Sequence, residues 1–309
     1  MIPVNSVLQV GQFPEVMQMV IDQRITPAHL TDLRAEIPAG SFESILIRSN
    51  TQLPIELLEK LPQIKMVATC GVGYDNLPIA YLKQKGIKAS NTPGVLNDAV
   101  CELAIGMMFG LLRRIPQAHE FVKSKAWSKG LFTVTTTLAG KRIGIVGMGR
   151  IGQDLAKRLE PFKVEIAYTG PSAKTLPYTY LPNIKDLAQV SDVLFLACPA
   201  SPATEKLINA EILEALGPQS YLVNIARGSV VDEAALLVAL QQKKIAGAAL
   251  DVFENEPNPD ESFLNLDNVL LTPHIGSATS ETRQLMTNLA IDNLEAFYNQ
   301  QPLLTEVQN

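Results

Sequence analysis

The chain has 309 residues, of which 47% are hydrophobic and 18% charged, and its formal net charge is −5. This length favours two domains that each bury a core, and the apolar fraction excludes a disordered or fibrous chain. The mild acidity, without a Lys/Arg-rich run, argues against a nucleic-acid-binding or polybasic membrane surface.

The first hundred residues are typical of short α/β units. Strands are predicted from β-rich runs at 44–49, 65–70 and 87–94, the last of which ends in a turn. A helix beginning with proline is predicted at 54–60, and GVGYDN (71–76) places two glycines directly after the second strand. A long helix is predicted from Asp98 to about Arg114. Its circumference is apolar nearly all round, so we expect it to be buried between layers.

From Lys141 onward, strands and helices alternate steadily. The predicted strands are the apolar runs KRIGIV, VEIAY, VLFLAC, YLVNI, AGAALDV and NVLLTP. Helices are predicted from about residue 150, near 183–190, 203–216 and 232–241, and at 280–298. Short apolar strands separated by helices predict a parallel sheet that is covered on both faces. The expected fold class is therefore α/β with a doubly wound parallel sheet.

The sharpest local signal is RIGIVGMGRIG, in which an apolar strand (142–146) runs through three glycines into a helix. Gly147 suits a tight turn, Gly149 lets the backbone approach a pyrophosphate, and Gly152 lets the helix pack on the strand. The helix N-terminus adds free N–H groups and positive partial charge. In this context the motif predicts a dinucleotide site, with a glycine turn that binds no ligand as the alternative.

The next strand bears on the choice of dinucleotide. An NAD-binding domain presents Asp or Glu to the ribose hydroxyls about 20 residues after the glycine turn. Here VEIAY is followed by TGPSAK (169–174), which has no carboxylate. Ser172 and Lys174 are able to hold a 2′-phosphate by hydrogen bond and charge. We expect NADP to be preferred and NAD to be possible, with a solvated turn as the alternative for these two residues.

Three polar side chains follow successive predicted strands, at the strand ends where parallel sheets bind ligands. Arg227 follows YLVNI, Glu256 follows AGAALDV, and His274 follows NVLLTP. The chemistry that fits these groups is hydride transfer to a 2-oxo acid. The carbonyl oxygen gains a proton as C2 gains the hydride, which suits a histidine kept protonated by a carboxylate. Arg227 suits the role of bridging the substrate carboxylate and polarising its C=O. An ion-pair network is the alternative, and His29 and His119, in polar helix-like stretches, are expected at the surface.

The cysteines and apolar runs bear on the compartment. Cys70, Cys101 and Cys198 are odd in number and far from C-x-x-C spacing, so they predict neither a disulfide framework nor a metal site. The longest wholly apolar run, Leu103 to Leu112, is about half of the roughly 20 residues that a membrane span needs. The N-terminal sequence has no positive region ahead of an apolar core, which argues against a secretory signal. We therefore expect a soluble, cytoplasmic protein.

Together these motifs resemble the D-isomer-specific 2-hydroxyacid dehydrogenase family over nearly the whole chain. The matching stretches are GVGYDN, NTPGVLNDAVCELAIGMM, GKRIGIVGMGRIG, NIARGSVVDE, AGAALDVFENEP and LLTPHIGSAT. Within the family, LLRRI, KAW, ALGP and QPLLTEV make the chain most similar to NADPH-dependent glyoxylate/hydroxypyruvate reductases and hydroxyphenylpyruvate reductases. The resemblance implies an oxidoreductase of CH–OH groups that reduces a small 2-oxo acid with NAD(P)H.

The resemblance also implies an architecture of two Rossmann-like or flavodoxin-like lobes with doubly wound parallel sheets. The nucleotide domain, expected at residues 99–282, is inserted in the substrate domain, expected at residues 1–98 plus 283–309. The implied protein is a homodimer with its active site in the cleft between the lobes. The helix from Asp98 would join the lobes and pair the subunits, and Trp127 would reach the neighbouring subunit's pocket.

The same resemblance implies roles for individual residues. Val72 and Gly73 would give backbone N–H groups to the substrate carboxylate, which Arg227 and His274 also contact. Arg227, Glu256 and His274 would form the catalytic set. The expected cofactor contacts lie in the loops at the strand ends: Gly147, Gly149, Arg150, Ile151, Gly152, Thr169, Gly170, Ser172, Lys174, Cys198, Pro199, Thr204, Ile225, Ala226, Asp251 and Gly276.

Several alternatives stay open. A phosphoglycerate dehydrogenase-like enzyme is disfavoured because no acid follows the second nucleotide strand, and a formate-oxidising relative because that branch carries Gln where Glu256 stands. A 2-ketogluconate reductase-like enzyme is a further alternative. A dinucleotide-sensing corepressor or scaffold is a fourth, since fold alone does not fix function, although the intact catalytic set opposes it. Pro171 stands where NADPH-using relatives usually carry arginine, so the strength of the NADPH preference is open.

Overall fold

The computed structural model describes residues 2–307, so Met1 and residues 308–309 of the expected substrate domain lie outside the described residues. The chain divides into two compact units. One, here called the terminal unit, comprises residues up to Leu96 and those from Ser277, and the other, the inserted unit, comprises Asn97–Gly276. These divisions fall before the domain limits expected at residues 98 and 282. The roles assigned to the two domains stay predictions.

Both units alternate strands and helices. In chain order the strands are β1 (Val7–Val10), β2 (Ala28–Leu30), β3 (Ser44–Arg48), β4 (Met66–Cys70), β5 (Lys88–Ser90), β6 (Arg142–Val146), β7 (Glu165–Thr169), β8 (Thr179–Tyr180), β9 (Val193–Leu196), β10 (Tyr221–Asn224), β11 (Gly247–Leu250) and β12 (Val269–Leu271). The α-helices are α1 (Glu15–Arg24), α2 (Ile55–Lys60), α3 (Ile79–Gln84), α4 (Asn97–Leu112), α5 (Ile115–Lys123), α6 (Arg150–Leu159), α7 (Ile184–Val190), α8 (Ala210–Leu216), α9 (Glu233–Gln241) and α10 (Ser280–Tyr298).

Among its described residues the terminal unit has a five-stranded sheet in the order β2-β1-β3-β4-β5. All of its strand pairs are parallel. One apolar cluster joins the sheet to α2 and α3, and another joins it to α1 and α10. Because both faces of the sheet are buried, the strand sequences are continuous hydrophobic runs and do not alternate between apolar and polar residues.

The inserted unit has a seven-stranded sheet in its described part, in the order β12-β11-β10-β9-β6-β7-β8. Its strand pairs are also parallel. Helix α4 packs on α6 and on β10, β11 and β12, and it is largely buried, as its apolar circumference predicts. Helices α7, α8 and α9 contribute to a large apolar cluster. The predicted α/β fold with doubly wound parallel sheets is therefore confirmed.

Two local predictions were wrong. The helix predicted over 203–216 begins only at Ala210, because the Asn209 side chain accepts hydrogen bonds from the backbone N–H groups of Glu211 and Ile212 and so caps it there. His29 lies on the edge strand β2 rather than in a helix-like stretch, although it is exposed as expected. Between residues 2 and 307 no helix combines the length and the apolar character needed to cross a membrane.

Candidate active site

The glycine turn after β6 exposes backbone to a ligand. Gly147 has φ +95°, in the left-handed region, and a Cβ there would lie 2.6 Å from the backbone nitrogen of Cys198. A Cβ at Gly152 would lie 2.1 Å from the Gly147 carbonyl oxygen, whereas one at Gly149 would meet no atom within 4 Å. Helix α6 starts at Arg150 without a side-chain cap, so its first N–H groups are available to an oxyanion. These features fit a dinucleotide diphosphate.

The turn after β7 is shaped by a buried tyrosine that sequence reasoning did not single out. The Tyr168 hydroxyl accepts a 2.7 Å hydrogen bond from the Lys174 backbone N–H, and the Tyr180 hydroxyl donates to the Gly170 carbonyl at 3.1 Å. Thr169 is buried, and the Ser172 and Lys174 side chains are exposed. The two tyrosine hydroxyls thus hold the loop through its backbone, and the side chains of Ser172 and Lys174 stay in solvent. The only sequence signal for Tyr168 was its place at the end of the strand.

A second loop of the expected cofactor region follows β9. The Thr204 hydroxyl donates to the Pro199 carbonyl at 2.7 Å and accepts from the Ser201 N–H at 2.9 Å, so it is used to fold the loop. Burial raises the pKa of the Cys198 thiol to about 11, which keeps it neutral. Ile225 is buried like the residue after it, and the cofactor contacts expected from these residues stay predictions.

Glu256 and His274 form a close side-chain contact. Glu256 Oε2 lies 2.6 Å from His274 Nδ1, and Glu256 Oε1 accepts from the Phe253 N–H at 3.1 Å. Burial opposes ionisation of Glu256, but the hydrogen bond and charge of His274, the Phe253 N–H and the charge of Arg227 together lower its pKa. The carboxylate is therefore anionic where it meets the imidazole ring. The other ring nitrogen, Nε2, makes no hydrogen bond to any residue between 2 and 307.

Arg227 lies beside this pair because two loops approach closely. It precedes a short 3-10 helix, and the Asn224 side chain donates to its carbonyl oxygen at 3.1 Å. A Cβ at Gly228 would lie 1.9 Å from the carbonyl carbon of Phe253, so only glycine lets the loops after β10 and β11 come together. The charge of Arg227 acts on Glu256 across this contact. The inserted unit thus brings the three predicted catalytic side chains together.

Asp251 organises the loop that carries His274. Its buried carboxylate accepts from the Thr272 hydroxyl at 2.7 Å and from the N–H groups of Ile275 and Gly276, each at 2.8 Å. Its carbonyl oxygen accepts from the His274 N–H, also at 2.8 Å. These bonds hold His274 at φ +52°, an uncommon backbone conformation for a residue with a side chain. The carboxylate expected to contact the cofactor is therefore engaged within the protein, and its cofactor contact stays a prediction.

A further acidic residue, Glu233, was missed by the sequence analysis. It is 8% exposed at the start of α9, and its Oε1 accepts a 2.7 Å hydrogen bond from the Glu254 N–H. Burial raises the pKa of Glu233; the Glu254 N–H opposes this, and the negative charges of Glu254, Asp260 and Glu256 reinforce it. Glu233 thereby anchors the loop between β11 and Glu256. The available signal was a glutamate at the head of an otherwise apolar helix.

In the terminal unit, the residues expected to bind the substrate carboxylate lie in the loop after β4. The Thr92 hydroxyl accepts from the Gly71 N–H at 2.9 Å, and the Asn91 side chain donates to the Val72 carbonyl at 2.8 Å. Within residues 2–307 the backbone N–H groups of Val72 and Gly73 donate no hydrogen bond. The loop is therefore anchored through other atoms and presents two donors. The described residues contain no group of three or more His, Cys, Asp or Glu side chains suited to a metal ion.

Comparison with known proteins identifies the family. Residues 105–276 match the model described as D-isomer specific 2-hydroxyacid dehydrogenase, NAD binding domain. Hydroxyphenylpyruvate reductase of Plectranthus scutellarioides is 43% identical over 272 residues, which cover 88% of this chain and 87% of the relative. The 2-ketogluconate reductase of Gluconobacter oxydans is 38% identical over 304 residues, which cover 98% of both chains.

Solved structures agree with this assignment. The NADPH-dependent glyoxylate/hydroxypyruvate reductase of Sinorhizobium meliloti, in complex with NADP and malonate, superposes with a TM-score of 0.92. It is 37% identical, and the alignment covers 98% of this chain and 97% of that chain. The chain therefore belongs to the D-isomer-specific 2-hydroxyacid dehydrogenase family, and the oxidoreductase class expected from its motifs is confirmed.

Proposed function

We propose that this protein reduces a small 2-oxo acid to the D-2-hydroxy acid, with NADPH as the preferred cofactor and NADH as a possible one. The observation that carries the proposal is the 2.6 Å contact between Glu256 Oε2 and His274 Nδ1. This contact supports His274 as the proton donor. The pair lies in the same unit as a glycine turn that suits a diphosphate. Relatives named for glyoxylate/hydroxypyruvate, hydroxyphenylpyruvate and 2-ketogluconate support this substrate class.

In the proposed reaction His274 carries its mobile proton on Nε2, because Nδ1 is occupied by Glu256. When bound, the dihydronicotinamide supplies the hydride that C2 of the substrate accepts. His274 passes the Nε2 proton to the carbonyl oxygen as negative charge develops there. Arg227 orients the substrate carboxylate and polarises the C=O, and the Val72 and Gly73 N–H groups bind the carboxylate.

We assign the cofactor to the inserted unit and the substrate to the terminal unit. Gly147, Gly149 and Gly152, with the start of α6, suit the diphosphate. The turn after β7 carries no carboxylate, so a 2′-phosphate meets no repulsion near Ser172 and Lys174, and this favours NADPH. The remaining proposed cofactor contacts are Arg150, Ile151, Thr169, Gly170, Cys198, Pro199, Thr204, Ile225, Ala226, Asp251 and Gly276.

We also propose a cytoplasmic homodimer without nucleic-acid or membrane partners. The stretch from α5 to residue 134 leaves large apolar side chains in solvent, with Leu131 at 92% and Val134 at 95% exposure. Trp127 is exposed too, and a second copy would remove these side chains from water. The three cysteines are buried and unpaired, which suits a reducing compartment. Light scattering of the purified protein tests the dimer, and a monomer would refute it.

A spectrophotometric panel tests the reaction. Glyoxylate, hydroxypyruvate, pyruvate, hydroxyphenylpyruvate and 2-ketogluconate are each offered with NADPH and with NADH, and loss of the reduced nicotinamide is followed at 340 nm. We expect turnover with at least one 2-oxo acid and a higher kcat/KM for NADPH than for NADH. Cofactor binding without turnover of any 2-oxo acid would refute the enzyme and favour a dinucleotide-sensing scaffold.

A further inference from the structure

Two arginines of the terminal unit lie near Cys70, close enough for the charge of Arg48 to act on Arg283, and neither has an acidic partner between residues 2 and 307. Arg48 ends β3, and Arg283 is in the first turn of α10; both are half-buried. The Arg48 Nε atom is buried and has no hydrogen-bond partner, and one of its terminal nitrogens donates to the Gln12 carbonyl at 3.2 Å. The Arg283 guanidinium forms no hydrogen bond or ion pair with any residue between 2 and 307.

The charges of this pair are uncompensated. Burial lowers the pKa of both arginines, and the positive charge of Arg48 lowers that of Arg283 further. No carboxylate contributes to either shift. The neighbouring Cys70 does not neutralise them, because burial raises its pKa to about 12 and it stays a thiol. Both guanidiniums stay protonated and half-buried without a carboxylate among the described residues. This arrangement favours the binding of an anion.

A third arginine of the same unit shows the usual arrangement. Arg24 is also half-buried, yet its guanidinium lies 2.7 Å from Asp292 and 3.0 Å from Glu295. The carboxylates outweigh the effect of burial and raise its pKa. The fold thus compensates Arg24 with two carboxylates, whereas Arg48 and Arg283 have none among the described residues, and a binding role explains this difference.

The position of the pair also suits a ligand. The residue after Arg48, Ser49, donates its N–H to the Cys70 carbonyl at 3.2 Å, so the ends of β3 and β4 stay together. A Cβ at Gly71 would lie 2.1 Å from the Ser49 Oγ. Glycine therefore allows the loop after β4 to pack closely against the Arg48–Ser49 segment. That loop holds the two N–H groups proposed above for a substrate carboxylate. Both sets of donors therefore lie at the carboxyl end of one parallel sheet, where ligands bind.

We propose that Arg48 and Arg283 bind a second oxyanion of the substrate, a carboxylate or a phosphate at the end remote from its 2-oxo acid group. This inference rests on the proposed function and narrows the preferred substrates to 2-oxo acids with an anionic distal group. The guanidinium fork matches either oxyanion with paired, charge-assisted hydrogen bonds.

Calorimetric titration of the NADPH-loaded protein tests the site without turnover, because the reduced cofactor cannot oxidise glycolate and the other ligands carry no 2-oxo group. Succinate and butyrate differ by one carboxylate, and phosphoglycolate and glycolate differ by one phosphate, so the two pairs separate the possible oxyanions. We expect the wild-type protein to bind the dianion of at least one pair about 10- to 100-fold more tightly. Arg283→Gln should remove most of that difference and leave the monoanion affinity unchanged. Arg283→Lys should restore part of it, because it keeps the charge but loses the fork.

The matched control is Arg24→Gln, which breaks a compensated arginine of the same unit and should leave the selectivity for dianions intact. Circular dichroism establishes that each variant is folded. Equal affinities within both ligand pairs, or an equal loss for both members in Arg283→Gln, would overturn the inference. If the protein reduces glyoxylate but shows no dianion selectivity, the inference fails and the proposed function stands. If it selects dianions but reduces no 2-oxo acid, the proposed function fails, and with it the pair's role in substrate choice.

Discussion

The two sheets carry different electrostatics at the ends of their strands. In the inserted unit, Glu256 contacts His274, and the Asp251 carboxylate accepts hydrogen bonds from three donors in the loop after β12. In the terminal unit, Arg48 and Arg283 have no acidic partner between residues 2 and 307. A proton donor must be held in one place and one charge state before the substrate arrives, so its charges are compensated in advance. A group that binds an anion, in contrast, has no counter-ion in the protein until the ligand supplies one.

The largest expected effect tests the Glu256–His274 pair of the inserted unit. His274→Ala removes the proposed proton donor, and we expect kcat to fall by about 10²–10⁴-fold. The Kd for NADPH, measured by fluorescence titration, should change little because the glycine turn is untouched. Arg24→Gln serves as a control for general destabilisation. A kcat near the wild-type value would remove His274 from the mechanism and end the distinction drawn between the two sheets.

Glu256→Gln should have the next largest effect, because His274 loses its anionic partner. We expect kcat to fall by about 10–100-fold near neutral pH. The pKa of Glu256 is lowered in the folded protein, so its anion stabilises the fold above the unfolded-state pKa. The difference in Tm between wild type and variant should therefore shrink as the pH falls through the folded-state pKa. A difference in Tm that stays the same at every pH would contradict this role.

The features that the sequence predicted are those with a local or strand-level cause. The glycines of 147–152 are recognisable because a strand precedes them and a helix follows them. Arg227 and His274 were predicted because each follows a strand of one parallel sheet, and the carboxyl ends of parallel strands share an edge. The same rule predicts that the residues meet without predicting which atoms touch.

What the sequence could not predict depends on contacts distant along the chain. The Glu233 carboxylate meets the N–H of Glu254, 21 residues further on, after one helix and one strand. Gly228 matters only because its loop lies against Phe253. The absence of an acidic partner for Arg283 is likewise a property of everything packed around α10. Such relationships follow from tertiary packing, for which one sequence carries no periodic signal.

A smaller effect tests whether the position of Glu256 depends on the hydrogen bond between Glu233 and the Glu254 N–H. Glu233→Ala leaves the Glu254 N–H without its buried acceptor, so we expect it to lower the free energy of unfolding by about 1–3 kcal/mol. We expect kcat to fall about tenfold with the KM for NADPH unchanged, because Glu256 loses its fixed position. Glu233→Gln keeps a carbonyl acceptor and should restore most of kcat. Equal kcat values for the Ala and Gln variants would show that the hydrogen bond does not position Glu256.

The smallest expected effect concerns an exposed cation and so sharpens the contrast with the half-buried arginines. Lys174 is in solvent, where one charge contact is worth about 0.3–1 kcal/mol. Lys174→Gln should therefore raise the KM for NADPH by only about two- to fivefold and leave that for NADH unchanged. Lys157→Gln, also exposed in the inserted unit, is the matched control.

Salt separates the exposed cation from the half-buried pair. The Debye length is about 10 Å at 0.1 M and 3 Å at 1 M ionic strength, so the Lys174 effect should fade as salt is added. The dianion selectivity of Arg48 and Arg283 should persist further, because half-buried charges are screened less. If Lys174→Gln leaves both KM values unchanged even at low salt, the turn after β7 is only solvated. The NADPH preference would then rest on the missing carboxylate alone, since a 2′-phosphate that meets no repulsion needs no cation to be accepted.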